Sequence, residues 1–175
     1  MSNYFIPDLV RYDCPVLFVG INPSDKAPFR TKNHFFGGRG NCFWTCFSNS
    51  DRYLNRQKGL LREQYDATAD KTVFDRYNVG FVNLVPRPTT TSKQLEADEI
   101  AEGVRHTTNK IKRFRPKVVC CVGKIVFQHL FNQNPAIGPQ DVVLPWDNGA
   151  GASKVFVMPS TSKLGATYSL EFKQQ

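Results

Sequence analysis

Apolar residues in this chain gather into short uninterrupted runs, Pro15–Gly20, Val79–Val85, Lys117–Gly123 and Lys154–Met158, separated by longer polar stretches. The first run shows the type. A β-favouring stretch without polar alternation suits a strand covered on both faces, as in a parallel sheet. The segments between the runs have helical character. A helix is expected over Asn41–Phe47, after the turn Gly37-Gly38-Arg39-Gly40, with a further stretch at Leu60–Tyr65. Ser92 is placed to cap the next helix, which carries Glu96, Asp98 and Glu99 in its early turns and Lys110, Lys112 and Arg113 at its end, with Pro116 as its stop. Gly123–Phe131 reads as a helix offering Ile125, Val126, Leu130 and Phe131 to the core. Strands alternating with helices indicate βαβ units, so the four runs predict an α/β fold built on a parallel sheet. Asn132–Ser153, with its prolines and glycines, is expected to be a loop region with room for a hairpin.

In a parallel sheet the carboxyl ends of the strands share an edge, and open α/β folds bind their ligands there. Polar turns rich in Gly or Pro follow three of the runs: Gly20-Ile21-Asn22-Pro23, Asn83–Thr91 and Pro159-Ser160-Thr161-Ser162-Lys163-Leu164. They should meet at one edge. Gly20 and Pro23 force a bend where the first strand ends, which presents Asn22 as the leading candidate for chemistry. The alternative is a turn-forming Asn bonded to nearby backbone.

Composition adds a partner and removes several chemistries. The 175 residues suffice for a single domain, 1–175, with a core of its own. Lys and Arg outnumber Asp and Glu by 23 to 15, a formal net charge of +8 that favours a polyanion, nucleic acid first, although a basic surface also serves solubility alone. The densest basic cluster, Lys110, Lys112, Arg113, Arg115 and Lys117, sits where a helix ends and a strand begins, the edge away from the candidate turns. Helix capping accounts for it. Five cysteines without a Cys-x-x-Cys spacing argue against a disulfide framework and a metal site alike, so buried thiols and no metal are expected. Gly123-Lys124 lacks the rest of a phosphate loop, and no dinucleotide Gly-x-Gly-x-x-Gly occurs. With no bilayer-length apolar run and no secretory-type start, the expectation is a soluble intracellular protein with no membrane partner.

Five segments, in order, carry a family resemblance: Gly20-Ile21-Asn22-Pro23, Phe36-Gly37-Gly38-Arg39-Gly40-Asn41-Cys42-Phe43-Trp44, Gly80-Phe81-Val82-Asn83-Leu84-Val85-Pro86-Arg87-Pro88-Thr89, Val122-Gly123-Lys124 and Met158-Pro159-Ser160-Thr161-Ser162. Together they resemble the motif regions of the mismatch-specific uracil and thymine DNA glycosylases of the uracil-DNA glycosylase superfamily. The resemblance implies a three-layer α/β/α fold with a central, mostly parallel four-stranded sheet. It also implies base excision: uracil, with thymine or modified pyrimidines as further candidates, is rotated out of mismatched double-stranded DNA and its N-glycosidic bond is hydrolysed. No cofactor is implied. The expected protein is a monofunctional, monomeric enzyme, nuclear in a eukaryote and cytoplasmic in a bacterium.

By this resemblance Asn22 holds the attacking water; its carboxamide oxygen accepts a hydrogen bond but is no effective general base. Phe36 stacks on the extruded base, with Phe35 left to the core. Backbone amides around Phe36 and the first turn, near Ile21 and Ser24, receive the base's carbonyl oxygens. Asn83 touches the pyrimidine edge, unless it merely closes the strand end with a hydrogen bond, and Ser160 completes the base pocket. On the DNA side, Leu164 plugs the gap left by the extruded nucleotide. Ser160, Thr161, Ser162 and Lys163 meet phosphates. His34 could polarise a leaving group, but the resemblance assigns it no role.

The chain departs from the family pattern at Ser24, where Gly is usual, which puts thymine excision in question. Residues 51–77 are longer and more polar than expected, and few residues follow Ala166, so a shortened carboxyl-terminal edge is expected. Two other readings stand beside the enzyme: a catalytically silent binder of DNA or abasic sites, which Ser24 would favour, and a small-molecule nucleoside hydrolase, which would have no use for the basic surface or Leu164.

Overall fold

The computed structural model describes residues 4–49, 64–163, 168–169 and 172–173. In chain order the elements are β1 (Val16–Gly20), α1 (Phe43–Asn49), α2 (Asp70–Tyr77), β2 (Val79–Asn83), α3 (Ala97–Phe114), β3 (Val118–Val122), α4 (Lys124–Phe131), β4 (Gly138–Pro145) and β5 (Ala152–Met158). They build one sheet of order β2-β1-β3-β5-β4. β1 runs parallel to β2 and β3, and β3 parallel to β5; only β4 is antiparallel, to β5.

The apolar runs lack alternation because both faces of the sheet are covered. Leu17, Val19, Val82, Val119, Cys121, Val155 and Val157 point to one side, into a core shared with Ile111 of α3 and with Val126 and Phe127 of α4. Phe18 and Phe81 point to the other, into an aromatic cluster with Phe35, Phe43, Trp44 and Val73. That cluster is built by rings meeting edge to face and face to face, Phe18 on Phe43 at 5.0 Å and Phe35 on Phe81 at 5.7 Å. The connection from β1 to β2 thus packs on one face and the connection from β2 to β3 on the other. The chain parts to opposite sides at β1, leaving a crevice at its carboxyl end.

Several sequence expectations need correction. A fifth strand, β4, occupies part of the segment expected as loop and hairpin: it pairs with β5, and Trp146 N–H to Gly151 O at 2.9 Å closes the turn between them. Its half-buried and exposed residues alternate, and Pro139 and Pro145 are tolerated because it is an edge strand. Ser92 does not cap α3. It belongs to a separate 3-10 turn, Ser92–Gln94, capped by Thr91, while Glu96 caps α3 and Glu99 reaches back to its N–H. Ile125 is 44% exposed and Phe127 takes its place in the core. α2 was not foreseen, and residues 60–63 of the expected Leu60–Tyr65 helix lie outside the described residues.

The basic cluster is engaged structurally. Lys110 pairs with Asp8, Arg113 with the Tyr12 hydroxyl and Arg115 with Asp13, at the amino end of β3. All five cysteines are free thiols, with Cys42 the least buried, and burial pushes Cys14 up to about 11 and Cys121 up to about 12. Among the described residues no helix is long and apolar enough to cross a membrane.

Gly103 lets α3 press onto the end of β2. A Cβ there would stand 2.2 Å from the Leu84 carbonyl oxygen, a backbone atom that cannot swing away. Ala gains about 1 kcal/mol over Gly in a helix interior, but overpacking costs about 1–3 kcal/mol. Gly103→Ala should therefore lower the Tm, by roughly 2–4 °C per kcal/mol of net loss, measured by thermal denaturation followed by circular dichroism. An unchanged or raised Tm would show that α3 can lift off freely.

Candidate active site at the carboxyl edge of the sheet

The strand ends bring the candidate turns together. Gly20 lies opposite Asn83 in the β1–β2 register, and Val122 opposite Met158 in β3–β5. Beyond the ladder the pairing continues: Leu84 N–H donates to Gly20 O, Val85 N–H to Ile21 O, Thr89 N–H to Pro23 O and Asp25 N–H to Thr89 O. Ser24 and Thr89 thereby form a parallel bridge, so the first and second loops are knitted into one layer above the sheet.

Asn22 is fixed by this layer. Its Nδ2 donates to the Arg87 carbonyl at 3.0 Å and to Thr89 Oγ1 at 2.7 Å. The orientation follows from the partners. A carbonyl can only accept, and the Thr89 hydroxyl spends its proton on Thr91 O at 2.8 Å, so both face an amide nitrogen. Oδ1 is left with no hydrogen-bond partner among the described residues.

Arg87 is held in turn by a two-pronged contact with Glu99, Nε to Oε1 at 2.6 Å and Nη2 to Oε2 at 2.7 Å, and by a bond from Nη2 to Gln94 O at 2.7 Å. The Arg87 contact, then the Glu96 N–H, hold the Glu99 carboxyl down at about 2. From the other side the Tyr4 hydroxyl donates to Ser24 O. Burial, with Asp25 adding to it, pushes that phenol up to about 12.

Phe36 and Asn83 close over the end of β1. Phe36 adopts a left-handed backbone conformation, φ 55°, and its ring stacks on Phe43 with centroids 4.1 Å apart. Its approach is prepared by Asp70, 1% exposed, which accepts from Phe35 N–H at 3.0 Å and meets His34 Nδ1 at 2.9 Å, and by Trp44 Nε1–H to Phe35 O at 2.8 Å. His34 is thus a brace for this loop, and Phe35 is core as expected. A Cβ on Gly20 would fall 2.5 Å from Asn83 Oδ1 and 3.1 Å from Phe36 Cε1, so only a glycine lets the amide and the ring come this close. The Asn83 carboxamide has no hydrogen-bond partner among the described residues, contrary to the strand-end alternative. Neither do the backbone N–H groups of Ile21 and Phe36.

The third loop joins from β5. Gly123 N–H donates to Met158 O, Ser160 sits against Gly123, and Cys42 N–H donates to Thr161 O at 2.9 Å. Thr161 was expected to meet a phosphate, but it is 1% exposed and holds the loop through its carbonyl. Ser160, Ser162 and Lys163 keep exposed surface, with the Lys163 chain lying over Gly40. Leu164 lies outside the described residues. Ser24 packs against Gly38, a Cβ on which would stand 3.2 Å from Ser24 Cβ, and its hydroxyl accepts from Lys26 N–H at 3.3 Å.

Sequence reasoning missed Thr89, Arg87, Tyr4 and Asp70. Thr89-Thr90-Thr91 inside an already suspected loop was a usable signal. Tyr4 and Asp70 act across distant parts of the chain and gave none.

The mostly parallel sheet thus carries an oriented, open-ended amide and an aromatic ring at its carboxyl edge, the place where open α/β folds bind ligands. The family model described as the uracil DNA glycosylase superfamily matches residues 7–175, and the chain belongs to that superfamily. Among curated relatives it is 29% identical, over 173 residues, to the G/U mismatch-specific uracil DNA glycosylase of Schizosaccharomyces pombe (strain 972 / ATCC 24843). That match covers 97% of this chain and 50% of the relative, so the chain spans about half the relative's length.

The Glu99 carboxyl titrates lower in the folded protein than in the unfolded chain, whose ordinary value is 4.5. Its contribution to stability is therefore present above that value and lost as pH falls through about 2. Wild type should be more stable than Glu99→Gln near neutral pH, with the difference in Tm shrinking steadily below pH 4.5. A constant difference across that window would remove Glu99 as the titrating partner of Arg87.

Proposed function

We propose that this chain hydrolyses the N-glycosidic bond of uracil extruded from mismatched duplex DNA and leaves an abasic site, acting as a monomer without a cofactor. The observation that carries this reading is the one-sided anchoring of Asn22: with both amide protons engaged, Oδ1 is the group left to hold a water. Superfamily membership and the mismatch-specific relative support the substrate class.

Cleavage of the bond builds positive charge on the sugar and negative charge on the departing base, so the site must stabilise an anion and present a water. The unpaired N–H groups of Ile21 and Phe36 are suited to receive the pyrimidine's carbonyl oxygens and to strengthen those bonds as negative charge grows. Phe36 offers its ring for stacking, which is tolerant of base identity. The unpaired amide of Asn83 can tell uracil from cytosine, because the two bases differ in donor and acceptor at one edge. Ser160 and the backbone at Ser24 complete the base pocket. Ser162 and Lys163 meet phosphates, with Thr161 supporting their loop and Leu164 as the plug. Ser24, packed on Gly38 and bridged to Thr89, narrows the room beside Asn22 and favours uracil over thymine.

Asn22 does not itself remove a proton from the water. An amide oxygen orients a nucleophile but does not deprotonate it, so the enzyme depends on a base that leaves well and turns over slowly.

The test is a set of duplexes carrying uracil opposite guanine, uracil opposite adenine and thymine opposite guanine, with uracil in a single strand, followed by alkali to reveal abasic sites. Uracil opposite guanine should be cut, and Asn22→Ala should lower the single-turnover rate by roughly 10²–10³-fold. Wild type that opens none of these substrates overturns the enzyme reading in favour of a silent binder. Asn22→Ala cutting as fast as wild type overturns the role of Asn22 alone.

Thr89 is a positioning residue for Asn22. Thr89→Val removes the acceptor at nearly constant shape and should lower the single-turnover rate roughly tenfold, as expected for losing a hydrogen bond of about 1.4 kcal/mol. Thr89→Ser should restore it. In an Asn22→Ala background the Val substitution should have no further effect, because its action runs through Asn22. Equal losses in both backgrounds would mean that Thr89 supports the loop and not the amide.

A further inference from the structure

Phe29 has 96% of its surface open to solvent, the most of the exposed large apolar residues described. A single exposed apolar residue is ordinary and signifies nothing by itself. Its mounting and its neighbours are what matter. Phe29 opens the 3-10 turn Phe29–Thr31, directly after Pro28, whose ring restricts the backbone there. On one side of the turn the Thr31 hydroxyl donates to Gly37 O at 2.7 Å, next to Phe36. On the other, Arg30 Nη2 meets Asp66 Oδ2 at 2.7 Å, and Asp66 is itself held by the Thr68 N–H at 2.9 Å. The turn that presents the ring is therefore braced through Arg30 and Thr31, in a loop whose two ends, the Asn22 turn and Phe36, lie at the carboxyl edge of the sheet.

Charge narrows the choice of partner. Lys26 and Lys32 flank Phe29 in this loop against Asp25, while Arg30 is paired with Asp66. A flat apolar ring among cations suits a polymer that offers both negative charge and flat apolar faces, which is the surface of a nucleic acid. We propose that Phe29 stacks on a nucleobase of the DNA lying along this edge, a base left with an uncovered face when its neighbour is extruded. The proposal rests on the glycosylase reading above for the extrusion step. Every base has a π face, so the contact sets affinity and leaves the choice of excised base to the pocket.

The test measures binding by fluorescence anisotropy to a duplex carrying a tetrahydrofuran abasic analogue opposite guanine, over a series of salt concentrations, for wild type, Phe29→Ala, Phe29→Leu and Phe29→Trp. Phe29→Ala should weaken binding by roughly five- to a hundredfold. Phe29→Trp should restore it and Phe29→Leu should not. The slope of log affinity against log salt should stay that of wild type, since no charge is lost.

Phe29→Ala binding as tightly as wild type overturns the stack, as does full rescue by Leu, which would make the contact a plain apolar wedge. Light scattering that finds wild type self-associated and Phe29→Ala monomeric, with equal DNA affinity, reassigns the ring to a contact between copies and overturns it too. The two readings fail separately. Phe29-dependent binding without uracil release sinks the glycosylase reading and keeps the stack, whereas uracil release with Phe29-independent binding does the reverse. Wild type that binds no duplex removes both.

Discussion

The arrangement at the sheet edge depends on which way round the Asn22 carboxamide sits. An amide rotated by half a turn would present N–H groups outward and could not accept a hydrogen bond from a water. Two acceptors prevent this, the Arg87 carbonyl and a Thr89 hydroxyl whose own proton is committed to Thr91. Each bond contributes only about 0.5–1.5 kcal/mol net to stability. Their combined effect on orientation is larger, because the flipped amide would face two acceptors with an acceptor of its own. Around this pair the loop is tied to the helix layer through Arg87 and Glu99 and to the amino-terminal arm through Tyr4.

The sheet topology explains why such a small group can be held so firmly. β1 sits between β2 and β3; its connection to β2 packs on one face of the sheet and the connection from β2 to β3 on the other. The turn after β1 is thereby flanked by loops from both neighbours and open in the direction away from the sheet. Backbone bonds carry most of the joining between the first two loops, from Gly20 to Thr89. Side-chain changes in these loops can alter chemistry with little effect on the layer.

Much of this was legible in the sequence. Runs such as Val16–Val19 and Val118–Val122 announce buried parallel strands because both faces need apolar residues. Asn22 was legible because Gly20 and Pro23 mark where the strand must bend. β4 was hidden by Gln140, Asp141 and its prolines, which an edge strand accepts and a central strand would not. α2 was hidden because its surroundings are polar and only Val73 and Asp70 turn inward. Asp70 could not have been found at all: its partners, His34 and Phe35, lie far away along the chain, and nothing local in either segment points to the other. Thr161 went astray for a related reason. Its residue type suits a phosphate, but its place against Cys42 is a fact of packing.

Gly20 acts on the end of β1 through what it lacks. The amide of Asn83 and the ring of Phe36 approach each other across the spot where any other residue would carry its β-carbon. The dimensions of the cleft above β1 are therefore set by an atom that the chain lacks. A family can vary the chemistry of its walls, one side chain at a time, and keep the same gauge, but an added methyl at this point would wedge apart two walls at once. The spacing of these two side chains is in that sense recorded in the backbone, below the level at which most substitutions act.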